Sequence, residues 1–284
     1  MRVVCGPSGL FSPTSTFWRV NREALMVLSG PRALLLELAH PLVAAGVAEH
    51  SDFRGDPLGR LFRTIGVMTA LNFEEAGAAR AAARHTQRCH RPVRGVLTED
   101  VGPYLSGTPY TADDPLLRLW VLATLIDSVL QTYDCLIAPL SPADKRAYYA
   151  DGQRLGQALG LPPEMMPPTY EDFETYMDSM LNSDQLTVGP DAHAIVRALF
   201  AHPSVGGLTR LMSFVSLGLL PERLRTAYGF GWGERHERWL RRFSALTRRV
   251  RPLVPSALCA HPQAVRAEWS RNHRCTQTAK RTDG

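Results

Sequence analysis

Between Leu116 and Leu136 the chain carries its longest apolar run, and that run is interrupted by Arg118, Asp127 and Asp134. As a helix it would be about 30 Å long. That length matches a bilayer, but three charges inside it argue against a membrane span. The alternative is a core helix, apolar over most of its circumference and covered on every side by other helices. Few strand formers accompany it, while Ala, Leu and Arg dominate, and these favour helix. With 284 residues the chain can bury roughly three quarters of its unfolded surface around such a core. The fold class expected is therefore all-α, a single large helical domain.

Proline punctuates the rest. Ser29-Gly30-Pro31 ends a first helix over 19–28 and opens a second. Pro41 falls in the middle of that second helix, so a kink or break is expected beside His40. Asp56-Pro57, Asp114-Pro115 and Ser141-Pro142 each pair an N-cap residue with proline at the first helical position. They start helices over 57–73, 115–137 and 142–160. A helix over 74–90 ends before Pro92. Thr169-Tyr-Glu-Asp172 reads as a capping box opening a helix to 181. Further helices are expected over 191–200, 208–219 and 234–250. No internal repeat and no hairpin signal is present. The 1–17 segment is rich in Gly, Pro, Ser and Thr and reads as a loose arm, 18–260 as the helical domain, and 261–284 as a basic flexible tail.

The formal charge is +5. The excess sits late, in Arg235, Arg238, Arg241, Arg242, Arg248, Arg249 and Arg251 and again from Arg266 to Lys280, without interleaved aromatics or a nucleic-acid motif. It reads as a solvated helix face, not a nucleic-acid surface. Five cysteines, Cys5, Cys89, Cys135, Cys259 and Cys275, show no CxxC spacing, and their odd count fits a reducing compartment. The N-terminal stretch lacks the apolar core of a signal peptide. A cytoplasmic protein is expected. The apolar stretches 208–220 and 232–253 serve equally as core or as a homodimer surface.

Three constellations carry chemistry. Arg60 and Thr64 share a stripe of one helix with Val67 and Leu71, with Arg63 beside them. Their apolar neighbours would draw an arginine inward, where it must meet an anion; the competing reading keeps both arginines at the surface. On the helix over 74–90, His90 lies on one face with Ala79, Ala82, Ala83 and Thr86. That face suits either close helix packing or a flat ligand below the imidazole. Arg94 follows past Pro92, placed for a ligand carboxylate or for the helix C-terminal carbonyls. Glu37 and His40, at i and i+3, are placed to share a proton or a metal. Cys89 points about 100° from His90 and reads as a core thiol. No HExxH, GxSxG, P-loop or GxGxxG context is present.

The runs GPRALLLELAHPLVAAGVAEHSDF, DPLGRLFRT, HRPVRG, YTADDPLLRLWVLATL and LLPERLRTAYG, in that order, resemble the family of the rubber oxygenases (latex clearing proteins) and the fungal MpaB-type oxygenase domains. The resemblance covers 18–230. It implies a globin-like helical core, haem b with its iron, and dioxygen-dependent cleavage of carbon–carbon double bonds. By motif, His90 in HxxxR matches the proximal haem ligand and Arg94 completes the pattern. Arg60 and Thr64 match the distal R-x-x-[KR]-T motif, and Arg63 stands where rubber oxygenases have lysine. Arginine keeps its proton, so it donates hydrogen bonds or clamps a propionate instead of ligating iron. Leu122 stands where many relatives have histidine. No clear counterpart of the family's distal glutamate is present, and Glu37 and Glu49 are the candidates. The function implied is a haem b-dependent oxygenase acting with dioxygen on a small hydrophobic metabolite, in secondary metabolism. The catalytic candidates are Arg60, Arg63, Thr64 and His40, the cofactor-binding candidates Arg60, Thr86, His90 and Arg94, and the metal ligand His90. The alternatives are non-oxygenase haem chemistry on the same fold, a non-catalytic helical binding protein, and a basic regulator of nucleic acid.

Overall fold

The structure is a computed structural model and describes residues 9–51, 57–200 and 207–282. Among these, thirteen helices account for nearly all regular structure. They are α1 (Thr16–Asn21), α2 (Gly30–Leu38), α3 (Pro41–His50), α4 (Pro57–Phe73), α5 (Ala76–His90), α6 (Pro115–Leu136), α7 (Pro142–Ala158), α8 (Tyr170–Asn182), α9 (Pro190–Phe200), α10 (Gly207–Leu219), α11 (Glu222–Ala227), α12 (Glu234–Val250) and α13 (Pro262–Thr282).

The long apolar helix is the axis of the fold. α6 packs against α1, α2, α7, α8 and α12. It buries residues around its whole circumference, among them Leu119, Trp120, Ala123, Ile126, Leu130 and Leu136. It is long and apolar enough to cross a membrane, yet 67% of its most apolar stretch is buried inside the fold. Its start is the expected one: the Asp114 side chain accepts a hydrogen bond from the Leu116 amide, with Pro115 at the first position. Ser141 caps α7 in the same way, and the Thr169–Asp172 capping box opens α8 with both reciprocal bonds formed. α7 comes close to α6 because it presents glycines. A Cβ on Gly152 would lie 2.7 Å from Ile126 Cδ1, and one on Gly156 would lie 2.6 Å from Leu122 Cδ2.

The seam between α2 and α6 holds a buried ion pair. Arg32 is 3% exposed. Its Nη1 donates to Asp127 Oδ2 at 2.6 Å and to Ser128 Oγ at 2.8 Å, and its Nε to the Leu219 carbonyl at 2.8 Å. The charge breaking the apolar run at Asp127 is thus neutralised from across the seam, as a buried charge requires.

At His40-Pro41 the chain breaks as expected. The bend between 24–38 and Pro41–His50 is 106°. His40 becomes the residue before the first turn of α3, in an extended conformation.

Three expectations are revised. A hairpin is present: β1 (Arg94–Val96) pairs antiparallel with β2 (Pro109–Thr111), Gly95 facing Tyr110. It holds because Leu97 and Tyr110 bury themselves against Leu42, Ala45 and Leu117. Gly95 is needed there, since a Cβ would sit 2.5 Å from Tyr110 Oη and 2.7 Å from Glu49 Oε2. The second revision is near the N-terminus, where Phe11 and Phe17 stack at 4.1 Å and both lie in the core. The third is the C-terminal segment, which forms α13. Its Glu268 accepts hydrogen bonds from the Trp18 indole and from Arg22, and Ala264 is fully buried.

Candidate functional site

α3, α5, α6 and the β2 strand enclose a cavity of about 390 Å³. Leu42, Val43, Leu117, Val121, Leu122, Leu125, Leu159 and Leu161 supply its apolar wall. Its polar groups include Glu37, His50, Thr64, Thr86, Gln87, His90, Tyr110 and Arg118. A mostly apolar cavity of this size with a few convergent polar groups has the make-up of a small-molecule site.

His90 ends α5 and faces this cavity. Its ring forms no hydrogen bond with any described residue, and burial, assisted by the Arg118 cation, lowers its pKa below the ordinary histidine value. A neutral imidazole with a free lone pair is the ligating form of histidine. Ala79 and Ala83, on the small face of α5, are buried where α5 packs on α4. Thr86 reaches the cavity one turn before His90, its hydroxyl donating to the Ala82 carbonyl.

Thr64 lines the same cavity from α4, whereas Arg63 is exposed and does not. The side chain of Arg60 and the N-cap position Asp56 lie outside the described residues, as do Cys5 and the Cys275 side chain. Arg94 also stays out of the cavity. Its Nη2 donates to the Arg91 carbonyl at 3.1 Å, and it borders a surface groove together with Glu49, Gly95 and Tyr110. His40 is buried elsewhere. Its Nε2 shares a 3.1 Å hydrogen bond with Tyr104 Oη, Nδ1 is without a hydrogen-bond partner, and burial pushes its pKa down to about 4. Glu37 lines the cavity and His40 does not. Cys89 is corrected from a core thiol to an exposed one at the rim of the cavity, its Sγ 3.6 Å from His85 Nε2. Trp120 lies in the core, donating to the Leu36 carbonyl, and Tyr133 is buried there too. The cavity face of α6 runs instead from Leu117 to Leu125.

One participant, Arg118, was not singled out by spacing, whereas Glu37 was, through its i, i+3 relation to His40. Arg118 brings a guanidinium to the cavity from α6, where it also donates to the Leu159 carbonyl. Its signal was its interruption of an apolar run. Glu37 lies on the wall shared by this cavity and a neighbouring one of about 190 Å³, and the Thr124 hydroxyl reaches its Oε1 at 3.5 Å. Among the described residues no three His, Cys, Asp or Glu side chains gather into a metal cage.

An uncharacterized protein of Mycobacterium tuberculosis is 28% identical over 231 residues, covering 78% of this chain and 87% of its own. An uncharacterized protein of Mycobacterium bovis matches with the same identity and coverage. No solved structure matches the chain. Residues 18–249, which carry the cavity and every helix around it, match the family described as ER-bound oxygenase mpaB/B'/rubber oxygenase, catalytic domain, and the chain therefore belongs to that oxygenase family.

Proposed function

We propose that the protein is a haem b-dependent oxygenase acting on a small hydrophobic substrate, and that the cavity facing His90 is where haem binds. The observation that carries this reading is the His90 imidazole, which lines a mostly apolar cavity and has no hydrogen-bond partner among the described residues. A single histidine satisfies an iron whose remaining in-plane ligands come with the cofactor, so the lack of a second clustered ligand among the described residues is compatible with a porphyrin. The residues fit such a group. His90 would ligate the iron. Arg118 supplies the fixed positive charge that a propionate needs. Leu117, Val121, Leu122 and Leu125 keep water from the macrocycle and the substrate. The bound haem supplies the activation of dioxygen. Thr64 brings a hydroxyl to the cavity and Glu37 a carboxylate, which together can hold or pass a proton beside the substrate. Leu122 widens the apolar wall where many relatives place an imidazole, which favours an apolar substrate surface at that point.

The test is spectroscopic. The purified protein reconstituted with haemin should show a Soret band that shifts on reduction and again with carbon monoxide. His90→Ala should lose that band while remaining folded by circular dichroism. A wild-type protein that stays colourless after reconstitution overturns the proposal, and a His90→Ala variant that keeps haem at full occupancy moves the ligand elsewhere.

A further inference from the structure

Beside the His90 cavity lies a second chamber of about 190 Å³, and Glu37, Thr64 and Leu125 line both. The chamber is walled by Met26, Leu34, Met68, Ile126 and Val129, with polar groups at Asn72 and His261. Asn72 is 8% exposed. Its Oδ1 is buried without a hydrogen-bond partner among the described residues. Buried amides are normally paired, because an unpaired one forfeits its hydration with nothing in return. This one lines a space that a ligand could fill. His261 borders the same space. Its Nδ1 accepts from the Gln263 amide at 3.3 Å, which leaves the ring proton on Nε2, and its ring stacks on Phe73 at 5.7 Å.

We propose that this chamber is a second binding subsite, which takes the hydroxyl-bearing end of a long apolar chain whose body extends toward the His90 cavity. The hydroxyl donates to Asn72 Oδ1 and accepts from the Asn72 amide or from His261. The charge of the wall selects the alcohol over an acid. Among the described lining residues there is no lysine or arginine, while Glu23 and Glu37 are both present. Glu23 is itself committed to Arg251 through bonds of 2.6 and 2.7 Å. A carboxylate head would find no lysine or arginine among the described lining residues to pair with, whereas a hydroxyl needs only the donors and acceptor that Asn72 and His261 offer. The inference deepens the proposed function by naming the substrate class, and it rests on that reading only for which end of the chain reacts.

The experiment uses the full chain without haem. The probes are 1-decanol, methyl decyl ether and decanoate, each competed against a radiolabelled 1-decanol standard in equilibrium dialysis. Wild type should bind 1-decanol about tenfold more tightly than the ether or the acid, the ratio expected for one buried hydrogen bond satisfied or lost. Asn72→Leu should bind the ether as well as wild type does and should lose the preference for the alcohol. Equal binding of all three probes by wild type, or displacement by none of them, overturns the subsite, and the wild-type series decides the matter alone should the variant fail to fold. A preference for the alcohol that survives in Asn72→Leu also overturns it. Haem titration of the same preparation separates the two claims: a protein that selects the alcohol yet takes up no haem keeps the subsite and loses the proposed function, and the reverse pattern does the opposite.

Discussion

The α2–α6 seam and the cavity between α5 and α6 are assembled from the same materials, an arginine, a few polar side chains and a wall of leucines, and they treat them in opposite ways. In the seam, Arg32 finds Asp127, Ser128 and the Leu219 carbonyl within 2.8 Å, and the Asp127 carboxylate also takes a bond from Gln131. At the cavity, the His90 ring meets no hydrogen-bond partner among the described residues, and in the neighbouring chamber Asn72 Oδ1 is likewise unbonded. A fold that satisfies its polar groups in one place can do so in another. Groups left unsatisfied around a space therefore mark where something from outside completes the bonding, and satisfied groups mark where the protein completes itself.

The sharpest way to break this contrast is Arg32→Met. It leaves Asp127 buried and unpaired and should cost about 3–5 kcal/mol, read as a loss in the urea midpoint; the double variant Arg32→Met/Asp127→Leu should recover most of it. A double variant as unstable as the single one would mean that the seam depends on charge and not on neutralisation. Next comes pH. His40 takes a proton near pH 6.5 when unfolded and near 4 when folded. The fold therefore keeps its full stability above about pH 6.5 and loses up to about 3 kcal/mol as the pH falls through that window toward 4. His40→Gln should flatten this part of the stability profile, and an unchanged slope would remove His40 from the account. A smaller effect is expected at the α6–α7 contact. Gly156→Ala drives a methyl into Leu122 and Met166 and should cost about 1–3 kcal/mol in thermal unfolding. The smallest effect on folding belongs to His90→Ala, whose ring has no hydrogen bond to lose. Its stability without haem, read from thermal unfolding, should stay within about 0.5 kcal/mol of wild type. A large destabilisation there would make His90 a structural residue and erase the contrast.

Much of the scaffold was legible because its signals are local. Asp114-Pro115, Ser141-Pro142 and the Thr169 box fix helix starts through bonds within three residues, and Pro41 fixes the break by its own ring. The hairpin escaped because its strands are three residues each, too short to show an alternating pattern, and because its stability comes from Leu42 and Leu117 far along the chain. His90 and Thr64, singled out by spacing and resemblance, line the same cavity. Arg118 and Glu37 were harder to assign, since what makes them cavity residues is the packing of α2 against α6. The sequence did not single out Arg32 either: nothing near it announces that its partner is Asp127, 95 residues away.

The corner at His40-Pro41 has a consequence for how such a chain can diversify. Before the corner, α2 is held by the Arg32 network and by carbonyls that receive the Trp120 and Tyr228 side chains. After it, α3 turns through 106° and lends Leu42, Val43, Gly46 and Val47 to the His90 cavity. The bend divides labour along twenty consecutive residues. Apart from Glu37 and Leu34, whose side chains reach the cavities from α2, mutations before the bend act mainly on folding, while those at Val43, Gly46 and Val47 after it reshape what the His90 cavity accepts.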